Sequence, residues 1–280
     1  MPLTAANFQY IAGLARDSAA IVIDPGKEYL VETRLSPIAE QEGFATLDDY
    51  INAMRAERVP GTRHERAVDA LTTNETSFFR DFHPFETLRQ HIIPKLIEQR
   101  SGFKRLSFWS AACSTGQEPY TIAMLLRECF PQLNDWTIQI VGTDLSPTVL
   151  KQAGRGSYSQ FEVNRGLPAS YLIKYFTKVD DRWVLKDNIR QMVKFSPMNL
   201  IKPWPILPVF DVVFIRNVMI YFDVETKKRI LKRIRNCLQP AGSLFLGTAE
   251  TTMNIDPQWT PTTLGRATVY QAVPALAAAA

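Results

Sequence analysis

A doubly wound α/β sheet carrying a small antiparallel β insert, and preceded by a small all-α domain, is the architecture this 280-residue chain predicts. Three observations carry that expectation. Before about residue 105 the apolar residues recur only at helical spacing. Beyond it, short apolar runs alternate with helical segments, the rhythm of an open α/β sheet. Between about 155 and 196 the alternation breaks, and two β-like runs flank Asp187-Asn188.

The elements follow in order. Thr4 is a candidate cap for a helix with Phe8, Ile11 and Leu14 on one face. Asp24-Pro25 reads as a helix start, with Tyr29, Leu30, Leu35 and Ile38 inward, Pro37 a candidate kink and Gly43 the stop. Thr46 with Asp49 resembles a capping box for Leu47–Ala56, and a further helix is expected over Arg63–Leu71. Strands are expected over Arg105–Ser110, Trp136–Val141, Asp211–Ile215, Gly242–Leu246 and Ala267–Gln271, with helices over Gln117–Cys129, Pro147–Ala153 and Val224–Leu238. In the insert, Trp183–Lys186 and Ile189–Phe195 are expected to pair as a hairpin. The resulting boundaries are a helical domain over 1–83, a linker helix over 84–103, an α/β domain over 104–273 with its insert at about 155–196, and a disordered alanine-rich tail over 274–280.

Bulk composition excludes several classes. Hydrophobic residues at 46% and charged residues at 21% suit a packed globular chain rather than a disordered one. The longest apolar stretches, such as Val209–Ile215, fall well short of the roughly 18 residues a membrane span needs. Residues 1–10 lack the pattern of a signal peptide. Cys113, Cys129 and Cys237 have no metal-type spacing, nor do His64, His83 and His91, so no metal is expected. Unpaired, scattered thiols point to a reducing compartment, the cytoplasm. Net charge is +4, but residues 1–90 hold 9 Lys+Arg against 14 Asp+Glu, and 151–202 hold 10 against 4. Without aromatic-and-basic patterning, no nucleic-acid partner is expected. No apolar stripe is left over after the core is assigned, so a monomer is expected.

In doubly wound sheets the ligand sits at the carboxyl ends of the strands. Three such ends carry suggestive residues: Ser110–Tyr120 with its small side chains and Pro119, Val141-Gly142-Thr143-Asp144 ending in an acid, and Asp211–Asn217 ending in polar groups. A carboxylate ending the second strand suits a ribose, which both dinucleotides and S-adenosylmethionine contain. The glycine fingerprint of the dinucleotide fold is missing, because Gly116 stands alone. Glu118 would also oppose a pyrophosphate at the helix N-terminus. A cofactor bearing a sulfonium and an ammonium suits that acid better, although a first-turn Glu is also an ordinary partner of the helix dipole.

The strings Asn74-Glu75-Thr76-Ser77-Phe78-Phe79-Arg80 and Arg216-Asn217-Val218-Met219-Ile220-Tyr221-Phe222-Asp223 complete the pattern, together with Ser110–Tyr120 and Asn199-Leu200. Over about residues 5–272 the chain resembles the CheR family of chemotaxis protein methyltransferases. The resemblance implies a Rossmann-like S-adenosylmethionine methyltransferase domain with a β-subdomain. It also implies an enzyme that converts glutamate side chains on the cytoplasmic helical domain of chemoreceptors to methyl esters, with S-adenosylhomocysteine as the second product. Carried over by motif, the cofactor contacts fall on Asn74, Thr76, Arg80, Glu118, Asp144, Asn199, Leu200, Arg216 and Asn217, and the catalytic pair on Arg80 and Tyr221. Phe78 and Phe79 read as packing residues.

Three departures matter. The family's Gly-His-Ser-Glu reads Gly247-Thr248-Ala249-Glu250 here. The basic run usual in the second helix is reduced to Arg34, with positive charge later at Arg55, Arg58, Arg63 and Arg66; Arg34, Arg55 and Arg58 are the expected receptor-docking residues. The loop Val179-Asp180-Asp181-Arg182 is short, which favours direct docking over capture of a receptor tail. Two other readings stay open at this level: a methyltransferase for another carboxylate or small molecule, and a cofactor-binding adaptor of a signalling array with weak or no turnover.

Overall fold

The centre of the sheet is β1 (Arg105–Ala111), whose residues from Leu106 onward are all buried, as a parallel strand covered on both faces must be. The computed structural model describes residues 3–273, and the expected alanine-rich tail lies outside them. Beside β1 run β2 (Thr137–Asp144) and β7 (Phe210–Ile215), both parallel to it. Outside β2 lies β6 (Val193–Pro197), and outside β7 lies β8 (Leu238–Leu246), also parallel. A terminal hairpin of β9 (Trp259–Leu264) and β10 (Ala267–Ala272) adds antiparallel strands, giving the order β6-β2-β1-β7-β8-β10-β9 among the described residues. The connection through α7 (Gln117–Cys129) leads from β1 to β2 in one direction, and that through α12 (Val224–Asn236) leads from β7 to β8 in the other. The order therefore reverses between β1 and β7, the switch point at whose carboxyl ends doubly wound sheets bind their ligands.

The described chain forms two compact units, residues up to Thr73 with Tyr221–Thr226, and Asn74–Ile220 with the chain from Lys227 onward. The first contains α1 (Ala5–Ala19), α2 (Glu28–Gln41), α3 (Leu47–Ala56) and α4 (Thr62–Leu71) around a core that includes Ile11, Val31, Leu35, Tyr50 and Met54. Its boundary falls at Thr73 rather than at 83, because residues 74–82 pack within the α/β unit. There Phe78 meets Tyr158 and Phe176 edge-on, and the Phe79 amide donates to Thr121 Oγ1 at 3.2 Å. The expected linker helix is also part of that unit. It runs as α5 (His83–Thr87), a π-turn (Leu88–Ile92) and α6 (Ile93–Arg100), with Phe85, Leu88, Ile93 and Leu96 in the core.

Several local expectations change. Asp24-Pro25 does not start α2. The Lys27 amide donates to the Asp24 carbonyl at 3.2 Å and Gly26 has φ +91°, so Pro25 and Gly26 form a turn and the helix begins at Glu28. Tyr29 is consequently exposed, and Val31, Leu35 and Ala39 take the inward face. Thr4 does not cap α1; its hydroxyl donates to Asp48 at 2.8 Å. Thr46 does cap α3, accepting from the Asp49 amide at 3.1 Å. His64 is structural: it is buried between the Gly61 amide and the Tyr10 hydroxyl.

The insert corrects the expected hairpin. Val193–Pro197 is not its second strand but the edge of the main sheet. The hairpin is β4 (Phe176–Val179) with β5 (Arg182–Leu185), turned at Asp180-Asp181 with Asp180 at φ +54°, and β3 (Ser157–Ser159) pairs with the other edge of β5. Asp187–Arg190 is one helical turn that buries Ile189. No described helix is long and apolar enough to cross a membrane.

At the heart of the α/β unit, Phe214 stacks on Phe245 with ring centroids 4.6 Å apart and on Phe85 at 5.8 Å. Phe214→Ala is expected to cost about 3–5 kcal/mol of unfolding free energy by urea denaturation; a loss below about 1 kcal/mol would mean the stack closes over the cavity.

Candidate cofactor and active site

The turn after β1 is built by backbone constraint. Ala112 and Ser114 have φ +56° and +50°, and Gly116, at φ +91°, is the residue before α7. A Cβ on Gly116 would stand 3.0 Å from the Cβ of Ala153, so a side chain is excluded by space as well as by backbone. The insert braces the turn, because the buried Tyr158 hydroxyl donates to the Thr115 carbonyl at 2.8 Å. Tyr120 donates to the Ala153 carbonyl at 2.8 Å, and burial pushes its own pKa up, so it stays a donor.

Asp144 ends β2 at the next strand edge. It is buried, and its two oxygens accept from the Ser114 amide at 2.8 Å and the Ser146 amide at 3.0 Å. Ser114 also donates its hydroxyl to the Asn74 carbonyl at 2.7 Å, so one serine joins the first motif to the strand-two acid. The Asp144 carbonyl accepts from the Met198 amide at 2.8 Å, which brings Asn199 and Leu200 alongside. Asn199 caps its own turn by accepting from the Ile201 amide at 3.0 Å, and the Leu200 carbonyl accepts from Trp204 Nε1 at 3.0 Å. Cys113 lies behind the turn. Burial, and then the carboxylates of Asp144 and Glu118, push its thiol well up, so it is a protonated packing group and not a nucleophile.

Arg216, just past β7, holds the remaining pieces together. Its side chain is 1% exposed. One nitrogen donates to Glu118 at 2.8 Å; the other donates to Asp81 at 2.6 Å and to the Arg80 carbonyl at 2.9 Å. The guanidinium lies over the Phe85 ring at 5.6 Å, above the aromatic stack. Its Nε is buried with no protein acceptor. Glu118, for its part, also accepts from the Ser110 hydroxyl at 2.7 Å. The acid expected to face the cofactor's positive charge is therefore held in an internal ion pair. Two carboxylates on one guanidinium still leave that trio at −1; Asp144 adds a negative charge and Arg80 a positive one, so the group keeps a net −1 that favours a cation.

The segment carrying Arg80 is strained, with Phe79, Asp81 and Phe82 at φ +49°, +66° and +50°. Arg80 is half-buried, and among the described residues the one hydrogen bond of its guanidinium runs from Nη1 to the Glu75 carbonyl at 2.6 Å. The Arg165 guanidinium, 2.6 Å away, holds the exposed Glu75 carboxyl below its usual range. Thr76 is half-buried between them in sequence. Tyr221 ends a short 3-10 helix, Met219–Tyr221, is half-buried, and groups with the helical unit. Phe78 and Phe79 pack against aromatic neighbours, as read.

Three groups escaped the sequence reading: Ser114, Asp81 and Glu250. Asp81 follows the arginine of its motif and Glu250 ends Gly247-Thr248-Ala249-Glu250, so proximity to recognised strings was the available signal. The two positions that depart from the family string, Thr248 and Ala249, are exposed.

Of the residues proposed for docking, Arg34 donates to the Leu71 and Thr72 carbonyls at 2.6 and 2.7 Å and so caps the end of α4. Arg55 donates to Asn7 at 3.0 Å and lies over the Tyr10 ring. Arg63 pairs with Glu42 and Glu57, and Arg66 with Glu42, whereas Arg58 is exposed.

A topological switch point, a backbone-shaped turn, an oriented strand-two acid and a buried arginine donor without a protein acceptor fit a cofactor with ribose hydroxyls, cationic centres and a carboxylate. Among the described residues no group of three or more His, Cys, Asp or Glu side chains gathers to hold a metal ion. The class these features define is the S-adenosylmethionine-dependent methyltransferases. Residues 6–72 match the CheR methyltransferase all-alpha domain, and residues 74–267 the CheR methyltransferase SAM binding domain. The chain belongs to the CheR methyltransferase family. It is 40% identical to chemotaxis protein methyltransferase 1 of Pseudomonas aeruginosa, over 95% of this chain and 98% of that one. Identity is also 40% to chemotaxis protein methyltransferase Cher2 of Pseudomonas putida, with the same coverage. With the chemotaxis protein methyltransferase of Vibrio parahaemolyticus it is 37%, over 82% and 83% of the two chains.

Arg216→Met should cost about 3–5 kcal/mol by chemical denaturation, because it leaves Glu118 and Asp81 as partly buried, unpaired charges. Adding Glu118→Gln should recover part of that loss. Strict additivity of the two changes would show that the ion pair is not the cause.

Proposed function

We propose that this protein transfers the methyl group of S-adenosylmethionine to glutamate side chains on the cytoplasmic helices of bacterial chemoreceptors, giving methyl esters. The observation that carries the reading is Arg80. It stands on a segment tied through Arg216 and Asp81 to the cofactor turn, and it uses a single N–H internally, so most of its donor fork is available to an anionic acceptor. The curated relatives named above, similar over nearly the whole chain, supply the chemotactic context.

The chemistry suits those groups. A glutamate side chain, with an ordinary pKa near ~4.3, is already ionised at neutral pH, so the acceptor needs no general base. When bound, S-adenosylmethionine supplies a methyl group on a cationic sulfur. Asp144 would accept from its ribose hydroxyls, Arg216 Nε would meet its carboxylate, and Asn74, Thr76, Glu118, Asn199, Leu200 and Asn217 would complete its surroundings. Arg80 would hold the acceptor carboxylate at two points while Tyr221 donates one further hydrogen bond. Fixing an acceptor in line is worth on the order of 7–11 kcal/mol in the best intramolecular cases. The α/β unit with its insert would hold the donor and the helical unit would dock the receptor. Arg34 is occupied by α4, so docking rests on Arg55 and Arg58. A cytoplasmic monomer is the form this reading implies.

Radiolabelled methyl transfer to receptor-containing membranes, followed by alkaline release, tests the reading. Base-labile label on glutamate is expected. Label on small molecules would move the substrate class, and absence of label would favour an adaptor. Tyr221→Phe should lower kcat by roughly 10–100-fold while leaving S-adenosylhomocysteine affinity within about twofold by calorimetry; an unchanged kcat would remove Tyr221 from the pair. Charge reversal at Arg55 and Arg58 should weaken receptor methylation several-fold without altering cofactor affinity, and unchanged methylation would remove them from docking.

A further inference from the structure

The loop that carries Arg216 and Asn217 is held by a side chain from elsewhere in the chain. Glu250 Oε2 accepts from the backbone amides of Gly247 at 2.6 Å and Asn217 at 2.9 Å. Its Oε1 accepts from those of Val218 at 2.9 Å, Met219 at 2.7 Å and Ile220 at 3.3 Å. Five backbone donors thus converge on one carboxylate, four of them from consecutive residues. Asn217 has φ +58°, the left-handed step that turns successive N–H groups inward and makes an anion-binding concavity. Such a concavity commonly takes phosphate or another free anion; here the protein fills it with its own acid. Among the described residues, no other acceptor meets the amides of residues 217–220.

The groups on either side explain why the fastening matters. The loop begins immediately after Arg216, whose guanidinium joins the turn at Glu118 to the segment at Arg80 and Asp81. Its last turn ends at Tyr221. Gly247 is fitted to the same arrangement. A Cβ there would stand 2.7 Å from Glu250 Oε2, 2.9 Å from the Asn217 amide and 3.0 Å from Asn217 Nδ2. Its φ is not in the left-handed region, so the requirement for glycine is space beside the carboxylate and not backbone freedom.

We propose that Glu250 is a positioning residue for methyl transfer: its carboxylate, seated in the concavity of amides Asn217–Ile220, sets the cofactor contact at Asn217 and the placement of Tyr221, and Gly247 keeps room for it. The inference rests on the site reading given under Proposed function. It touches neither donor nor acceptor and acts through the backbone.

Glu250→Gln is the direct test, because an amide keeps the size but presents one acceptor and one donor. Either the pair Gly247 and Asn217 or the trio Val218–Ile220 would then face an N–H₂ group. The full chain should remain folded, with amide hydrogen exchange accelerated at 217–220. Its calorimetric dissociation constant for S-adenosylhomocysteine should rise tenfold or more, and kcat at saturating donor and receptor should fall by a further tenfold or more. A loss of stability alone would not split binding and turnover in that way. Gly247→Ala keeps the acid and crowds it, so it should give the same two changes in milder form even where the glutamine variant folds poorly. Wild-type affinity and kcat in either folded variant would overturn the proposal. The affinity and exchange measurements need no receptor, so they decide the role of Glu250 at Asn217 even if receptor glutamate proves not to be the acceptor.

Discussion

A buried guanidinium needs partners for its charge, and Arg216 finds them by recruiting two parts of the chain that are far from it in sequence, which leaves Nε as its one nitrogen without a protein acceptor. Glu118 comes from the start of α7, and Asp81 and the Arg80 carbonyl from the segment before α5. Beneath it, Phe85, Phe214 and Phe245 form a stack that fills the space between helix and sheet. The ion pairs and the stack specify each other. Without the stack, the charges would sit in water and bind weakly; without the charges, the strained segment from Phe79 to Phe82 would be tied by Phe79 alone, through Thr121 and its aromatic neighbours. Replacing a network of this kind by apolar residues is often neutral for stability, which argues that its value lies in geometry.

The same logic runs through the rest of the site. Positive φ values at Ala112, Ser114, Phe79, Asp81, Phe82 and Asn217 gather around the carboxyl ends of β1, β2 and β7. Conformations like these persist only where the surroundings over-determine them. The surroundings do so with hydrogen bonds to backbone: Ser114 to Asn74, Tyr158 to Thr115, Glu250 to the loop after Arg216. A methyl transfer to an ionised acceptor calls for placement more than for proton traffic, and a site assembled from fixed backbone is suited to placement.

Legibility in the sequence followed the range of the forces. The helix Gln117–Cys129 and the strands β1, β2, β7 and β10 were readable to within a few residues; for β1 and β7 the reason is burial on both faces, which makes the strand largely apolar along its length. The hairpin in the insert was misassigned. Val193–Pro197 has the composition of a strand in either sheet, and only the register of Ile140 against Val193 decides which one it joins. The start of α2 was misread because Asp-Pro opens both helices and turns, and Gly26 settles the choice through its positive φ. β9 was missed, since Trp259–Leu264 is an edge strand with exposed residues along most of its length.

For the site, residue identities were available from the sequence, and pairings were not. Composition, alternation and the strings around Asn74–Arg80 and Arg216–Asp223 determined the class of domain, its cofactor and the family. They could not show that Glu118, chosen for its charge toward the cofactor, is bound by Arg216. Nor could they show that Arg34 caps its own domain, or that Glu250 fastens the loop after Arg216. Those facts depend on which groups meet across separations of up to 98 residues. Hydrogen bonds and ion pairs of that range are selected by the packed fold, because only there do distant donors and acceptors leave water together.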